Sequence, residues 1–234
     1  ILWLIALKYK NNLSDAELFI RSRIEEITED HRLYLLLGKV LQRQEKTNEA
    51  LNAYKQAQKL NPADAQAYLD AARLLINSVK KEYAKAEYEK AVQQNPDDIQ
   101  GYIVLAALHH ADGNDHDAIT LYRKILDIKE NDAAAANNLA LLLAEPQESD
   151  LSEALRMAMI AKDQLPADPR VADTLGWVHY KRGSFDLAIA QFEFAAQQGQ
   201  EIPQISYHLA LAYNANGQPD KALKVLENLL ENES

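Results

Sequence analysis

The densest run of potential ligands is His109-His110-Ala111-Asp112-Gly113-Asn114-Asp115-His116-Asp117, whose imidazoles and carboxylates could suit a divalent cation. A calcium loop opening at Asp112 needs glycine at its sixth place and a carboxylate at its twelfth, and the sequence has Asp117 and Arg123 there. Weak surface affinity through His110, His116 and the aspartates is the most such a run offers, and a polar turn between helices accounts for it better. Other catalytic patterns are missing. The chain has no cysteine, hence no thiol nucleophile, disulfide or thiolate zinc site. It also lacks a phosphate-binding glycine loop, a Ser-His-Asp order and a metalloprotease motif. The acids sit beside lysines on helical faces, as around Glu87 with Lys85 and Lys90 nearby. The expectation is a protein without catalysis, cofactor or metal.

The elements that would carry any site follow from composition. The 234 residues include 47% hydrophobic and 26% charged side chains, enough to bury a core, with only seven glycines and seven prolines to interrupt it. Alanine is abundant, which favours an almost wholly helical chain. The net charge of −10 repels a phosphate backbone, so nucleic acid is disfavoured as a partner. No apolar run approaches the roughly 18–20 residues of a membrane span. The longest, from Ile1 to Leu7, reads as a helix face packed on its neighbour in preference to a trimmed signal or anchor. Without an initiator methionine, the chain reads as a piece of something longer.

One period dominates. Alanine followed by a bulky residue three to five places on recurs at Ala16, Ala50, Ala84, Ala118, Ala154, Ala188 and Ala222, at spacings of 34, 34, 34, 36, 34 and 34. A period of this length describes a helical hairpin that cannot bury its faces alone and stacks on its neighbours. Small residues must stand where the two helices cross: Gly38, Ala72, Ala106, Ala140, Gly176 and Ala210 on the first helix, the alanine series on the second. Gly113, Gly183 and Gly217 share one repeat position at the end of the first helix, where a left-handed residue closes it. The two residues added in the fourth unit fall in the turn at 144–150.

With residue 31 as position 1, the first full unit places Tyr34, Leu37, Gly38, Leu41, Ala50, Tyr54, Ala57 and Pro62 in an order that resembles the tetratricopeptide repeat. The resemblance covers nearly the whole chain. It implies an all-α, right-handed superhelical solenoid of antiparallel helix pairs: a degenerate repeat or cap over 1–30, then six repeats over 31–64, 65–98, 99–132, 133–168, 169–202 and 203–234. It also implies a concave groove lined by first helices that binds a peptide or protein segment, through positions 2, 5, 9, 12 and 13.

Read off at those positions, the first two full units present Arg32, Lys39, Gln42, Arg43, Arg73 and Asn77, a basic patch or else a solvated face with acids on neighbouring turns. The later units present Asn137 and Leu141, then Arg170, Asp173, Trp177, Tyr180 and Lys181, then Tyr207, Leu211 and Asn214. Trp177 is either a binding anchor or a core residue packed on Tyr207. Asn138, at position 6, matches an asparagine that holds a ligand's backbone amide in peptide-binding relatives; the alternative is that it satisfies a neighbouring helix. Relatives that clamp a chaperone's terminal carboxylate carry a Lys and Asn set that this chain lacks in every frame, with Leu35, Asp70, Gln100 and Val104 in the first.

The resulting expectation is a non-catalytic scaffold for a protein or peptide segment. Asn137-Asn138-Leu139-Ala140 and Asp173-Thr174-Leu175-Gly176-Trp177 also resemble repeats of bacterial envelope lipoproteins tied to exopolysaccharide export or protein sorting, which implies a soluble part of an envelope assembly. The alternative is a self-assembling module joined through its terminal repeats, because Leu223, Val225, Leu226, Leu229 and Leu230 crowd the last helix.

Overall fold

The computed structural model describes residues 12–76, 81–145, 150–198 and 202–232, and all their regular structure is helical. Ile1 to Leu7, Asn77 and most of the turn at 144–150 lie outside the described residues. The chain divides into two compact units, 1–108 and 109–234.

The first unit holds α1 (Leu13–Glu26), α2 (His31–Arg43), α3 (Thr47–Leu60), α4 (Ala65–Ile76), α5 (Lys81–Gln94) and most of α6 (Ile99–Ala111). Helix α2 packs on α3 and α4 on α5 as antiparallel hairpins, and α3 in turn packs on α4. The crossing is as tight as the small residues require. A Cβ added to Gly38 would stand 2.4 Å from Tyr54 Cε1, and the Tyr54 ring is fully buried. Its hydroxyl donates to Gln42 Oε1 at 2.8 Å, so burying the ring leaves no orphan polar group.

The second unit holds α7 (Asp115–Ile128), α8 (Ala133–Leu143), α9 (Leu151–Gln164), α10 (Pro169–Lys181), α11 (Phe185–Gln197), α12 (Pro203–Ala215) and α13 (Pro219–Asn232). Helices α8 and α9, α10 and α11, and α12 and α13 form hairpins, while α8 meets α10 and α10 meets α12, so the first helices lie side by side. Here Phe192 plays the part of Tyr54: it is fully buried beneath Gly176, whose added Cβ would fall 2.6 Å from Cε1 of the ring. Asp132, Asp150 and Asp168 each accept a backbone N–H at the start of their helix, and Pro169 and Pro203 occupy first helical turns, where no partner for N–H is needed.

The seven repeat alanines are all buried. Gly113, Gly183 and Gly217 have φ of 75°, 75° and 73°. Glu45 stands at the same repeat position in the first full unit and is held at φ 63° without the freedom of glycine. Nothing in the spacing of residue types foretold that strain.

Candidate functional site

In the first unit, the cations expected to form a basic patch are mostly answered by acids. Asp30 caps α2 by accepting the Arg32 backbone N–H, and the Arg32 guanidinium closes back on the same carboxylate at 2.8 Å through both Nε and Nη2. The hydrogen bonds from Arg32 hold the Asp30 carboxyl below its usual range. Lys39 Nζ lies 3.2 Å from Asp70 Oδ2, and Arg73 Nη1 lies 3.4 Å from Asp70 Oδ1. Gln66 Nε2 donates to Asp70 Oδ1 at 2.8 Å, which explains how a carboxylate only 6% exposed is tolerated. Arg43, exposed, has no ion pair among the described residues. The patch is therefore a set of compensated charges. Asp70 was overlooked because it sits at position 6, which the groove positions skip.

The second unit carries the better-formed site. A cavity of about 430 Å³ opens over α8, α10 and the start of α12, with Asn137, Asn138, Leu141, Arg170, Asp173 and Gln204 among its lining. Five residues read at groove positions or at position 6, Asn137, Asn138, Leu141, Arg170 and Asp173, meet here. Asn138 Nδ2 donates to the Tyr122 hydroxyl at 3.2 Å, so part of its amide serves a side chain of α7 and not a helix backbone. Asn137 differs: its Oδ1 is buried and has no hydrogen-bond partner among the described residues. Asp173, expected to face the groove openly, is only 8% exposed and is bonded to His208 Nδ1 at 2.8 Å. A carboxylate can only accept, so the imidazole donates. Arg170 is tied to Asp168 by Nε at 3.2 Å and Nη2 at 2.8 Å, and those hydrogen bonds lower the Asp168 pKa.

Trp177, Tyr180 and Tyr207 lie outside this cavity. Trp177 stacks on His208 with centroids 4.5 Å apart and on Tyr180 at 5.3 Å, and Lys181 Nζ sits 4.7 Å from its ring centre. The packing partner on the next repeat is thus His208, and not Tyr207. Its ring is engaged by these neighbours, and through His208 it braces Asp173. Tyr207 is 52% exposed and meets His208 only at a tilt, with centroids 6.3 Å apart. His208 is the main omission of the sequence analysis. It occupies position 6 of its repeat, as do Asp70 and Asn138, and reading position 6 in every unit, as was done for Asn138, would have singled out Asp70 and His208 as well.

In the polar turn, His110 Nδ1 bonds Asp115 Oδ1 at 2.6 Å and His109 Nδ1 lies 3.3 Å from Asp117 Oδ2. No group of three or more His, Asp or Glu among the described residues is placed to hold a metal ion. No described helix is long and apolar enough to cross a membrane.

Solved structures with this fold include YrrB, a tetratricopeptide-repeat protein with an unusual peptide-binding site, at TM-score 0.68 and 21% identity over 85% of this chain and 97% of that one. A tetratricopeptide repeat protein from Parabacteroides merdae aligns at TM-score 0.63 and 18% identity over 98% of this chain and 92% of its own. MamA from Desulfovibrio magneticus RS-1 aligns at TM-score 0.65 and 17% identity over 72% of this chain and 94% of its own. At these identities the likeness is one of fold. No curated protein matches the chain in sequence. Residues 174–233 match a tetratricopeptide-repeat family model. Residues 8–136, more than half of the chain, match the TPR domain of cytochrome c-type biogenesis protein H, and these matches do not show a tie to exopolysaccharide export or protein sorting. The periodic hairpins, the crossing geometry and these matches agree: the chain belongs to the tetratricopeptide-repeat family, in the group of the cytochrome c-type biogenesis protein H TPR domain.

Proposed function

We propose that the second unit holds an extended segment of a partner protein across α8, α10 and α12, and that its role is positioning and not chemistry. The buried, unpartnered Asn137 Oδ1 in a cavity of ligand size carries this reading, because an orphan acceptor costs about 1–3 kcal/mol unless something donates to it. The family description makes cytochrome c-type biogenesis the process in which to seek the partner, in place of the exopolysaccharide and sorting systems suggested by short sequence runs. Leu141 supplies apolar surface in the cavity, and Tyr207 offers an exposed ring on the neighbouring stretch of α12. The basic residues Arg32, Lys39, Arg43 and Arg73 are kept as a weaker contact region, with Arg43 its least compensated charge.

A tiled peptide array from the host's c-type cytochromes and their assembly proteins tests the proposal. Bound peptides should lose the chain on Leu141→Glu and keep it on Met159→Glu, a change at an exposed residue of a second helix. Equal loss or equal retention in the two variants refutes it.

A second reading, self-association through the last helix, is favoured by Leu223 and Leu230, which are 58% and 65% exposed, whereas Val225 and Leu226 pack inward. Light scattering over a hundredfold concentration range decides it: a mass independent of concentration removes this reading.

A further inference from the structure

In the cavity of the second unit several donors are drawn into bonds within the protein, while two acceptors keep capacity. The Arg170 guanidinium is bound twice to Asp168. The Thr174 hydroxyl donates to the Arg170 carbonyl at 3.0 Å. The Asn138 amide nitrogen donates to Tyr122. On the acceptor side, Asn137 Oδ1 is buried and unbonded, and the Asp173 carboxylate has His208 as its one hydrogen-bond partner among the described residues. The charges give the same sign. Asp168 is paired with Arg170 and Asp132, at the head of α8, with Lys129, which leaves Asp173, bonded to His208, as the carboxylate of the lining without a Lys or Arg partner among the described residues. Around this polar floor the walls are apolar, built from Ala133, Leu141, Val171, Ile202 and Ile205.

An apolar sleeve ending in an open amide carbonyl and a carboxylate fits a flexible hydrocarbon stem with a cationic, donor-only tip. We propose that this cavity is a subsite for a lysine side chain of the bound segment, the ammonium donating to Asn137 Oδ1 and pairing with Asp173 while the four-carbon stem lies along Leu141, Val171 and Ile205. The proposal rests on the groove reading above and names the residue class it selects. It gives His208 and Trp177 a role without contact to the ligand: Trp177 stacks on His208, which fixes the Asp173 carboxylate at the cavity. They are positioning residues.

The test uses the whole chain, ¹⁵N-labelled, titrated at pH 7 with three acetylated and amidated heptapeptides, Gly-Ala-Ala-X-Ala-Ala-Gly, in which X is lysine, norleucine or glutamate. The lysine peptide should shift the Asn137 side-chain amide and the Thr174 backbone amide, with a Kd about tenfold or more below that of norleucine, the size expected for a charge-assisted hydrogen bond. The glutamate peptide should leave both signals in place. Asn137→Asp, which adds a carboxylate to the floor, should tighten the lysine peptide several-fold, and Asp173→Asn should bring it to the norleucine level. A norleucine Kd within twofold of the lysine value, no shift at Asn137 and Thr174 with the lysine peptide, or no gain in Asn137→Asp overturns the subsite. The groove itself is read separately: benzoylphenylalanine at position 141 that still crosslinks an array-selected partner peptide, while the three heptapeptides bind alike, retains the groove and discards the lysine.

Discussion

Replacing Gly176 with alanine tests the packing rule on which the repeat rests. In an ordinary helix the change is favourable by about 1 kcal/mol, because alanine gives up less backbone entropy. Here the new Cβ would lie 2.6, 2.7 and 3.0 Å from Cε1, Cδ1 and Cζ of Phe192, well inside ordinary contact. The ring is fully buried, so it cannot swing into solvent, and either α10 and α11 separate or the ring leaves its rotamer. Overpacking of this kind costs about 1–3 kcal/mol, and against rigid buried ring atoms the upper half of that range applies, which exceeds the helical gain. The net expectation is a loss of about 1–2 kcal/mol, or about 3–6 °C in Tm by circular dichroism. In a Phe192→Leu background the obstacle is smaller, and the same substitution should cost at least about 1 kcal/mol less in a double-mutant cycle. Gly38→Ala against Tyr54 should behave alike, since the closest approach there is 2.4 Å. A Gly176→Ala protein that melts higher than the parent, or a coupling to Phe192 near zero, would refute the reasoning.

Asp70→Asn keeps the shape and removes the charge between Lys39 and Arg73; it should cost about 1–2 kcal/mol and increase retention of the first unit's surface on an anionic resin, and an unchanged Tm with unchanged retention would show that those cations were never compensated. Trp177→Ala removes the ring stacked on His208 and Tyr180, so Tm should drop by about 4–8 °C even without any ligand, and retention of the parental Tm would make Trp177 a free anchor after all. Glu45→Gly relieves a side chain held at φ 63° and should raise stability by about 0.5–1 kcal/mol in urea denaturation; a loss would mean that the Glu45 side chain contributes more than the strain costs. Burial raises the pKa of Tyr54, Tyr88, Tyr102 and Tyr122, and burial with the Glu193 contact pushes Tyr213 up to about 12. Unfolded tyrosines ionise near the ordinary 10.0, so this contribution is complete below pH 10 and lost as pH rises through 12; a urea midpoint flat from pH 9 to 12 would contradict it.

Whatever repeats in this chain could be read along the sequence. The alanine series, the small crossing residues and the closing glycines are each fixed by a constraint inside one hairpin: helices that must approach closely, or a chain that must turn with positive φ. Such constraints recur every 34 residues and can be counted along a line. They were legible at Gly113, Gly183 and Gly217 and, among the described residues, illegible at Glu45, where a residue without glycine's freedom meets the same backbone demand.

What only the tertiary structure decided is how one repeat answers the next. Lys39 meets Asp70, and Trp177 meets His208; each pair joins position 9 of one repeat to position 6 of the following one, a register created by stacking first helices side by side. That stacking turned an apparent basic patch into paired charges and drew Trp177 and Asp173 into a buried network with His208. It also left the carbonyl of Asn137 without a partner at the wall of a cavity. A residue's type states which bonds it can make, but which of them remain open depends on neighbours some thirty residues away. In this chain those open bonds, more than the helices that carry them, set the chemistry of the site.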